Sequence, residues 1–393
     1  MRVLTVGNMY PPHHLGGYEL MWHSAVAHLR GAGDDVRVLS TDHRAEKPDP
    51  AIAEDADVHR ELRWYWRDHE FPRLGVRGRL ALERHNAAVF DHHLADFRPD
   101  AVCWWAMGGM SLSLIERARR ARLPDAAVVV DDWLLYGPQV DAWTRALARR
   151  PRTGTAVARL TGIPAHVEPA AGGNWLFASE TLRRRAAEAG HAPARSAVAH
   201  PGVDLGLFRP APEHDWSWRL LYCGRIDERK GIDIAIGALE QLPPEATLRI
   251  VGAGNEGHLA ELRRLAGGEG LAGRVSFEQR SRDELPAVYA ESDAVVFPVR
   301  WVEPFGLVPL EAMGTGRPVI ATGLGGSGEY LRERENCLLF DVEGGAPALA
   351  DAVVALAEDP PLRAAIRESG LATAAAHPER RFNEAVRATI ERA

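Results

Sequence analysis

The sequence predicts an α/β chain of two doubly wound parallel sheets facing a central cleft, and three observations carry that prediction. Short apolar runs of strand character alternate with longer stretches of helical period in both halves. The alternation stops and restarts around Pro201–Pro212, a stretch rich in Pro and Gly. The length of 393 residues suits two domains at about 100–200 residues each. We expect an amino-terminal domain over 1–205 and a carboxyl-terminal domain over 206–377. A last helix, about 378–393, is expected to pack back on the first domain.

Strands are predicted at Val3–Val6, Val36–Ser40, Ala101–Trp105, Ala126–Val130 and Asn174–Ser179. Between them lie a turn-rich loop from Asn8 to Gly17, a helix from about Tyr18 to Arg30, and helical stretches at Leu112–Arg122 and Glu180–Ala189. Pro151–Gly173 reads as aperiodic. The second series has strands at Leu220–Cys223, Leu248–Val251, Val275–Phe277, Ala294–Pro298 and Pro318–Ala321. Its helices follow at about Ile232–Gln241, Glu256–Ala266, Asp283–Glu291, Leu307–Met313 and Gly326–Leu331. Ala346–Glu358 and Pro361–Ala375 add a helical tail. Ligands of such sheets bind off the carboxyl ends of the strands, so the loops after strands are where chemistry is sought.

A hydrophobic fraction of 46% and a charged fraction of 26% are ordinary for a globular chain. No apolar run reaches the ~18 residues of a membrane span, and Met1–Gly7 reads as a buried strand rather than a leader. Cys103, Cys223 and Cys337 share no metal or redox spacing and are expected as reduced thiols in a cytoplasmic protein. The net charge of −7 divides unevenly, +2 over residues 1–200 and −9 over residues 201–393. Neither half is basic enough to bind nucleic acid. Arginines do cluster at Arg117/Arg119/Arg120/Arg122, Arg149/Arg150/Arg152 and Arg183/Arg184/Arg185, as solvated helix faces or as a peripheral contact with an anionic acceptor or membrane surface.

The densest chemistry lies in Trp301–Ile320. A strand ends near Pro298, a tight loop follows, and a helix opens near Gly306 with Pro309 in its first turn. Free backbone N–H groups at a helix start suit a diphosphate. Glu303 lies in the loop before that start and Glu311 in the helix, so both are better placed to accept hydrogen bonds from hydroxyls than to serve a phosphate. The turn Gly224–Gly231 carries Arg225 and Lys230, two cations that suit a diphosphate clamp. Lys47 and Lys230 are the only lysines in the chain, which draws notice to the second.

These residues resemble the retaining glycosyltransferases of family 4, of bacterial and actinobacterial type, which have the GT-B fold. The family's carboxylate pair with seven intervening residues matches Glu303 and Glu311, and its arginine and lysine match Arg225 and Lys230. Further matches are the Gly16-Gly17 loop, Ser179-Glu180-Thr181, Pro201-Gly202-Val203-Asp204 and Gly325-Gly326 before Glu329. The resemblance implies that Arg225 and Lys230 hold the diphosphate and Glu311 the ribose. Glu303, with the backbone from Phe305 through Gly306 and Leu307 to Val308, would hold the donor sugar and phosphate. Gly16 and Gly17 would approach the diphosphate from the other domain. The base would lie near Arg280 and Ser281, with Gly252 lining the nucleotide side.

The family usually has histidine where this chain has Asp131, at the end of the Ala126–Val130 strand. An aspartate accepts a sugar hydroxyl's hydrogen bond but cannot donate one when ionised. We expect Asp131 to contact the donor sugar or the acceptor nucleophile; solvation of Asp131 with Asp132 as a helix cap is the other reading. Trp104, Trp105, Trp133, Tyr136 and Trp143 are candidates to line the acceptor site or to fill the core.

Gly252-Ala253-Gly254-Asn255-Glu256-Gly257 satisfies a dinucleotide fingerprint, but it does not open its domain and no partner acid is evident. No Asp-x-Asp motif stands at a suitable place, so no metal and no cofactor is expected. The expected reaction moves a hexose from a UDP- or GDP-sugar to the hydroxyl of a small molecule, lipid or glycan, with the nucleotide-sugar as co-substrate. A nucleotide-sugar epimerase or hydrolase and a non-catalytic nucleotide-sugar-binding protein are the alternatives.

Overall fold

The computed structural model describes residues 1–66, 70–148 and 151–393. The chain divides into two compact units, residues 1–200 with 382–393, and residues 201–381.

The first unit is built on one seven-stranded sheet. Its strands are β1 (Arg2–Val6), β2 (Asp35–Thr41), β3 (Val58–Leu62), β4 (Ala101–Trp104), β5 (Asp125–Val129), β6 (Asn174–Phe177) and β7 (Ser196–Val198). The order is β3-β2-β1-β4-β5-β6-β7, and every pairing is parallel. Helices α1 (Gly17–Gly31), α2 (Val76–Phe97), α3 (Ser113–Arg120), α4 (Trp133–Val140), α5 (Ala142–Ala148), α6 (Pro151–Thr161) and α7 (Glu180–Glu188) complete it. Central strands of a parallel sheet are covered on both faces, so β1, β4 and β5 are nearly unbroken apolar runs. Trp22, Trp104, Trp105, Trp133 and Trp175 are fully buried, and Trp143 is 5% exposed. Trp104, Trp105, Trp133 and Trp143 therefore fill the core rather than offer faces to an acceptor, and of the aromatic candidates only Tyr136 is half-buried.

The second unit carries β8 (Arg219–Cys223), β9 (Thr247–Val251), β10 (Val275–Glu278), β11 (Ala294–Phe297), β12 (Val319–Ala321) and β13 (Leu338–Leu339). They form a six-stranded parallel sheet ordered β10-β9-β8-β11-β12-β13. Its helices are α8 (Ile232–Ala238), α9 (Glu256–Ala266), α10 (Leu285–Ala290), α11 (Val308–Gly314), α12 (Gly345–Glu358) and α13 (Pro360–Ala376). Ile232, Ile236, Leu248, Ile250, Val296, Ile320, Leu349 and Val353 meet in one core. The last helix, α14 (Glu379–Glu391), belongs to the first unit from Phe382 onward. Phe382, Val386 and Ile390 form its buried stripe, Asn383 bonds Ser24 Oγ at 2.8 Å, and Arg387 bonds Asp34 at 3.0 Å.

Strands β7 and β13 and helices α4 and α5 are absent from the sequence reading, and two longer stretches differ from it as well. Nothing was predicted between Ser40 and Ala101, where β3 and the 22-residue α2 lie. The buried face of α2 is Leu82, Glu83, Asn86, Ala87, Phe90, His93 and Phe97, a helical spacing hidden from hydrophobic periodicity by three polar members. Part of the aperiodic Pro151–Gly173 is α6, which buries only Gly154 and so has no apolar stripe to read.

The polar members of α2 form a network of their own. Glu83 accepts from Tyr65 Oη at 2.8 Å and from Ser113 Oγ, while Asn86 Nδ2 bonds Ser111 Oγ at 2.7 Å. Asp141 takes the N–H groups of Leu112, Trp143 and Thr144. Burial, aided by the nearby Asp141 charge, pushes the Glu83 carboxyl up to about 7. A carboxyl raised on folding binds more protons in the native state, so its contribution is full below the unfolded value of ~4.3 and fades as pH rises through 7. Wild type is therefore expected to lose stability relative to Glu83→Gln, on the order of 2 kcal/mol, between pH 5 and 7.5. Urea unfolding at the two pH values checks this, and parallel profiles would refute it.

The arginine clusters are largely neutralised at the surface. Arg117 pairs with Asp91, Arg120 with Glu116, Arg183 with Glu180 and Arg184 with Glu188. Arg119 bonds Asp125 and the carbonyls of Glu168, Pro169 and Gly172. Arg149 and Arg150 lie outside the described residues. Cys103, Cys223 and Cys337 are free and buried, and burial pushes the thiols of Cys223 and Cys337 up to about 12. Among the described residues no helix is long and apolar enough to cross a membrane.

Candidate functional site

Strand order reverses between β8 and β11, so the loops leaving these neighbours open side by side at the switch point of the sheet. The loop after β8 holds Arg225 and Lys230; the loop after β11 holds Glu303. Backbone joins them directly, with Arg300 N–H donating to Arg229 O at 2.8 Å. Gly231 makes the approach feasible. Its φ is +65°, and a Cβ there would stand 2.0 Å from Pro298 O.

Lys230 Nζ donates to Glu303 Oε2 at 2.6 Å, and Trp301 Nε1 donates to the same oxygen at 2.8 Å. Glu303 is 8% exposed, so this charge is buried and paired rather than displayed. Arg225 extends further into solvent, 4.0 Å from Asp227. Tyr222 Oη holds the Arg225 carbonyl at 2.7 Å and so braces the turn from below.

Glu311 sits on α11, 4% exposed. Its Oε2 accepts from Tyr289 Oη at 2.9 Å and its Oε1 from Arg282 Nη1 at 3.1 Å. Burial is the largest single influence and opposes the Arg282 cation, but the charges of Glu311 and Glu379 and the hydrogen bond to Glu311 together outweigh it, and the guanidinium pKa is raised. The backbone of α11 begins at Val308, with Leu307 as its cap residue. Before it, Gly306 takes φ +86°, its carbonyl is bonded by Tyr330 Oη, and Phe305 packs its ring on Tyr330 with centroids 5.1 Å apart.

Arg280 and Ser281 lie in the turn after β10. Arg280 pairs with Glu278 and Glu284, and Ser281 Oγ bonds Glu284 at 2.7 Å. The neighbouring Arg282, not Arg280, is the arginine brought to Glu311. Gly252 has a packing reason of its own, since a Cβ there would stand 1.9 Å from Gly224 O. At Gly254 a Cβ would stand 2.0 Å from Ile226 O. The dinucleotide-like glycines thus let the turns after β8 and β9 pass one another.

In the first unit, strand order reverses between β1 and β4, and the loop after β1 leads to Gly16 and Gly17 at the start of α1. Gly16 N–H donates to Glu19 Oε2 at 3.0 Å. Gly16 has extended backbone, and a Cβ there would meet nothing within 4 Å. Neither conformation nor packing within the chain requires glycine at this place. Gly231→Ala should therefore destabilise by more than about 2 kcal/mol and Gly16→Ala by less than about 1 kcal/mol. Denaturant midpoints compare the two; equal losses would show that Gly231 has room the structure denies it.

Asp131 stands at the carboxyl end of β5 and does two local jobs. Its Oδ1 accepts the Trp133 N–H at 3.1 Å, and its Oδ2 accepts Tyr136 Oη at 3.0 Å. Asp132 is the residue before α4 but makes no side-chain cap; it pairs with Arg185 at 3.0 Å. The side-chain bond at this helix start thus comes from Asp131, not Asp132. His13 and His14 are tied to Glu54 and Asp49 at 3.5 and 3.2 Å.

One metal-capable group occurs among the described residues, His59, Glu61 and His93 on β3 and α2. Arg37 Nη1 lies 3.3 Å from His93 Nδ1. A guanidinium only donates, so Nδ1 accepts, and the neutral ring carries its proton on Nε2, 3.5 Å from Glu61. His59, Glu61 and His93 read as a polar trio at the surface in which only His93 is buried.

Sequence reasoning missed Arg282, Tyr289 and Trp301 as members of the site. Arg282 has the same residue type as Arg280 in the same polar turn, so no sequence signal separates them. Trp301 stands two residues before Glu303, and its placement in that motif was a usable signal.

Residues 208–372 match the family described as Glycosyl transferases group 1. A D-inositol 3-phosphate glycosyltransferase of Catenulispora acidiphila is 36% identical over 208 residues, covering 47% of this chain and 49% of that protein. The chain spans about half or less of the length of such curated relatives. A glycogen synthase of Mycobacterium tuberculosis is 29% identical over 398 residues, covering 92% of this chain and 87% of that one. Among solved structures, HepE of Anabaena in complex with UDP superposes with a TM-score of 0.72 at 21% identity, covering 100% of both chains. The chain thus has the GT-B fold of two Rossmann-like parallel-sheet domains, and its residues 208–372 are similar to group 1 glycosyl transferases.

Proposed function

We propose that the protein is a retaining glycosyltransferase that moves a hexose from a nucleotide-diphosphate sugar to an acceptor hydroxyl. The observation that carries this reading is the Lys230–Glu303 pair at the sheet's switch point, with Glu311 buried beside Arg282 and Tyr289 in the same family-matched unit. Arg225 and Lys230 are assigned to the diphosphate, together with the backbone from Phe305 to Val308. Glu303 is assigned to the sugar and Glu311 to the ribose. Arg280, Ser281 and Gly252 are assigned to the nucleotide side. Gly16 and Gly17 are assigned to the diphosphate as well. UDP is the first nucleotide to test, because HepE was solved with UDP and with UDP-glucose.

In the reaction so assigned, the bond from the anomeric carbon to the diphosphate oxygen breaks. The acceptor oxygen bonds the same carbon on the same face, and its proton passes to the leaving diphosphate. Lys230 and Arg225 stabilise the charge that grows on that leaving group. Asp131 is assigned to the sugar or the acceptor hydroxyl.

A thermal-shift series against UDP, GDP, TDP, ADP, UMP and NAD tests the reading. A diphosphate at about 100 times its dissociation constant should add roughly 2.7 kcal/mol to wild type and little to Arg225→Ala. Stabilisation by NAD alone would overturn the reading. Asp131→Asn keeps an oxygen for the Trp133 N–H, so it should fold normally and lose at least about tenfold in transfer. Unchanged turnover with every donor tried would remove Asp131 from the site.

A further inference from the structure

Glu303 is held at both its backbone and its side chain. Its backbone is held by the loop after β12, where Gly326 N–H donates to Glu303 O at 2.7 Å. A Cβ on Gly325 would stand 2.4 Å from that same oxygen. Its side chain is held by Lys230 and Trp301, and both donors reach a single oxygen, Oε2. The other oxygen, Oε1, accepts from none of the described residues.

Trp301 is itself held in place. The Arg229 guanidinium stacks on its ring 4.3 Å from the centroid. Asp227 in turn grips Arg229 through two bonds of 2.8 and 2.9 Å. Lys230 Nζ lies 5.4 Å from the same indole. The chain Asp227–Arg229–Trp301–Glu303 thus runs from the turn after β8 to the loop after β11. It fixes the rotation of one carboxylate about its own axis.

We infer that Trp301 is a positioning residue for the donor sugar. Its indole N–H and Lys230 together claim Oε2, so that Oε1 alone is presented to a sugar hydroxyl in a fixed direction. This rests on the proposed assignment of Glu303 to the sugar. Lys230 alone could not do it, because an ammonium on a flexible stem sets distance but not the carboxylate's orientation. The consequence is a division of labour: Trp301 acts on the sugar and not on the nucleotide.

The experiment uses the full chain with UDP and UDP-glucose as probes, comparing wild type, Trp301→Phe, Glu303→Gln and the double variant. Trp301→Phe keeps an aromatic ring to stack on Arg229 and removes the indole N–H. It should lower kcat with UDP-glucose about tenfold or more, leave UDP affinity within about twofold, and add little in the Glu303→Gln background. Equal weakening of UDP and UDP-glucose, or additive effects in the double variant, would reduce Trp301 to a structural role and overturn the inference. A ligand-free readout separates this from the functional reading. With 15N-labelled tryptophan, the indole N–H signal that Trp301→Phe deletes should move in Glu303→Gln; an unmoved signal also overturns the inference. Should that signal move while wild type binds neither UDP nor UDP-glucose, the positioning contact stands and the nucleotide-sugar assignment falls.

Discussion

Replacing Lys230 by alanine is expected to lower transfer from UDP-glucose by about 100–1000-fold, the cost of removing one preorganised donor from a developing anion. The geometry raises the stake. Lys230 spends one of its three N–H groups on Glu303 Oε2, so on the proposed assignment the two that remain would meet phosphate oxygens and one ammonium would serve both the sugar carboxylate and the leaving group. Lys230→Arg should recover only part of the activity, because a planar fork cannot reproduce a point charge with donors in three directions. Single-turnover rates at saturating donor measure this directly. A loss confined to KM, with kcat unchanged, would mean that Lys230 binds the ground state and transition state alike.

Glu311→Ala is expected to cost about 2–4 kcal/mol of stability and most of the UDP affinity. Removing one partner of a buried pair leaves the other charge uncompensated, here the Arg282 guanidinium, and also strips Tyr289 Oη of its acceptor. Arg282 keeps some access to solvent, which tempers the figure. Glu311→Gln retains an acceptor for Tyr289 and should recover much of the stability while leaving UDP binding weak. Urea midpoints and calorimetric titration with UDP separate the two effects. If Glu311→Gln bound UDP as tightly as wild type, the carboxylate would be structural and its ribose assignment would fail.

Much of the fold was legible because parallel strands covered on both faces must be apolar runs. Val3–Val6, Leu220–Cys223 and Ala294–Phe297 announce themselves in this way, and Glu256–Ala266 was placed residue for residue. The carboxylate spacing and the turn with Arg225 and Lys230 were legible too, since local motifs keep their identity wherever the chain places them. What failed was reading by hydrophobic period where a helix buries polar groups. The face of α2 carries Glu83, Asn86 and His93 into the interior, each satisfied by partners far along the chain.

The sequence by itself determined the strand–helix alternation, the positions of the loops and the residue types those loops offer. Only the tertiary structure decided which of two equivalent residues does the work. Arg282 and not Arg280 meets Glu311, Trp301 and not Trp104 or Trp105 touches the Glu303 carboxylate, and Asp131 and not Asp132 accepts the N–H at the start of its helix. The physical reason is common to all three. A side chain's partner depends on the direction it takes from the backbone and on what another strand or loop places within about 3 Å, and no spacing along the chain encodes that.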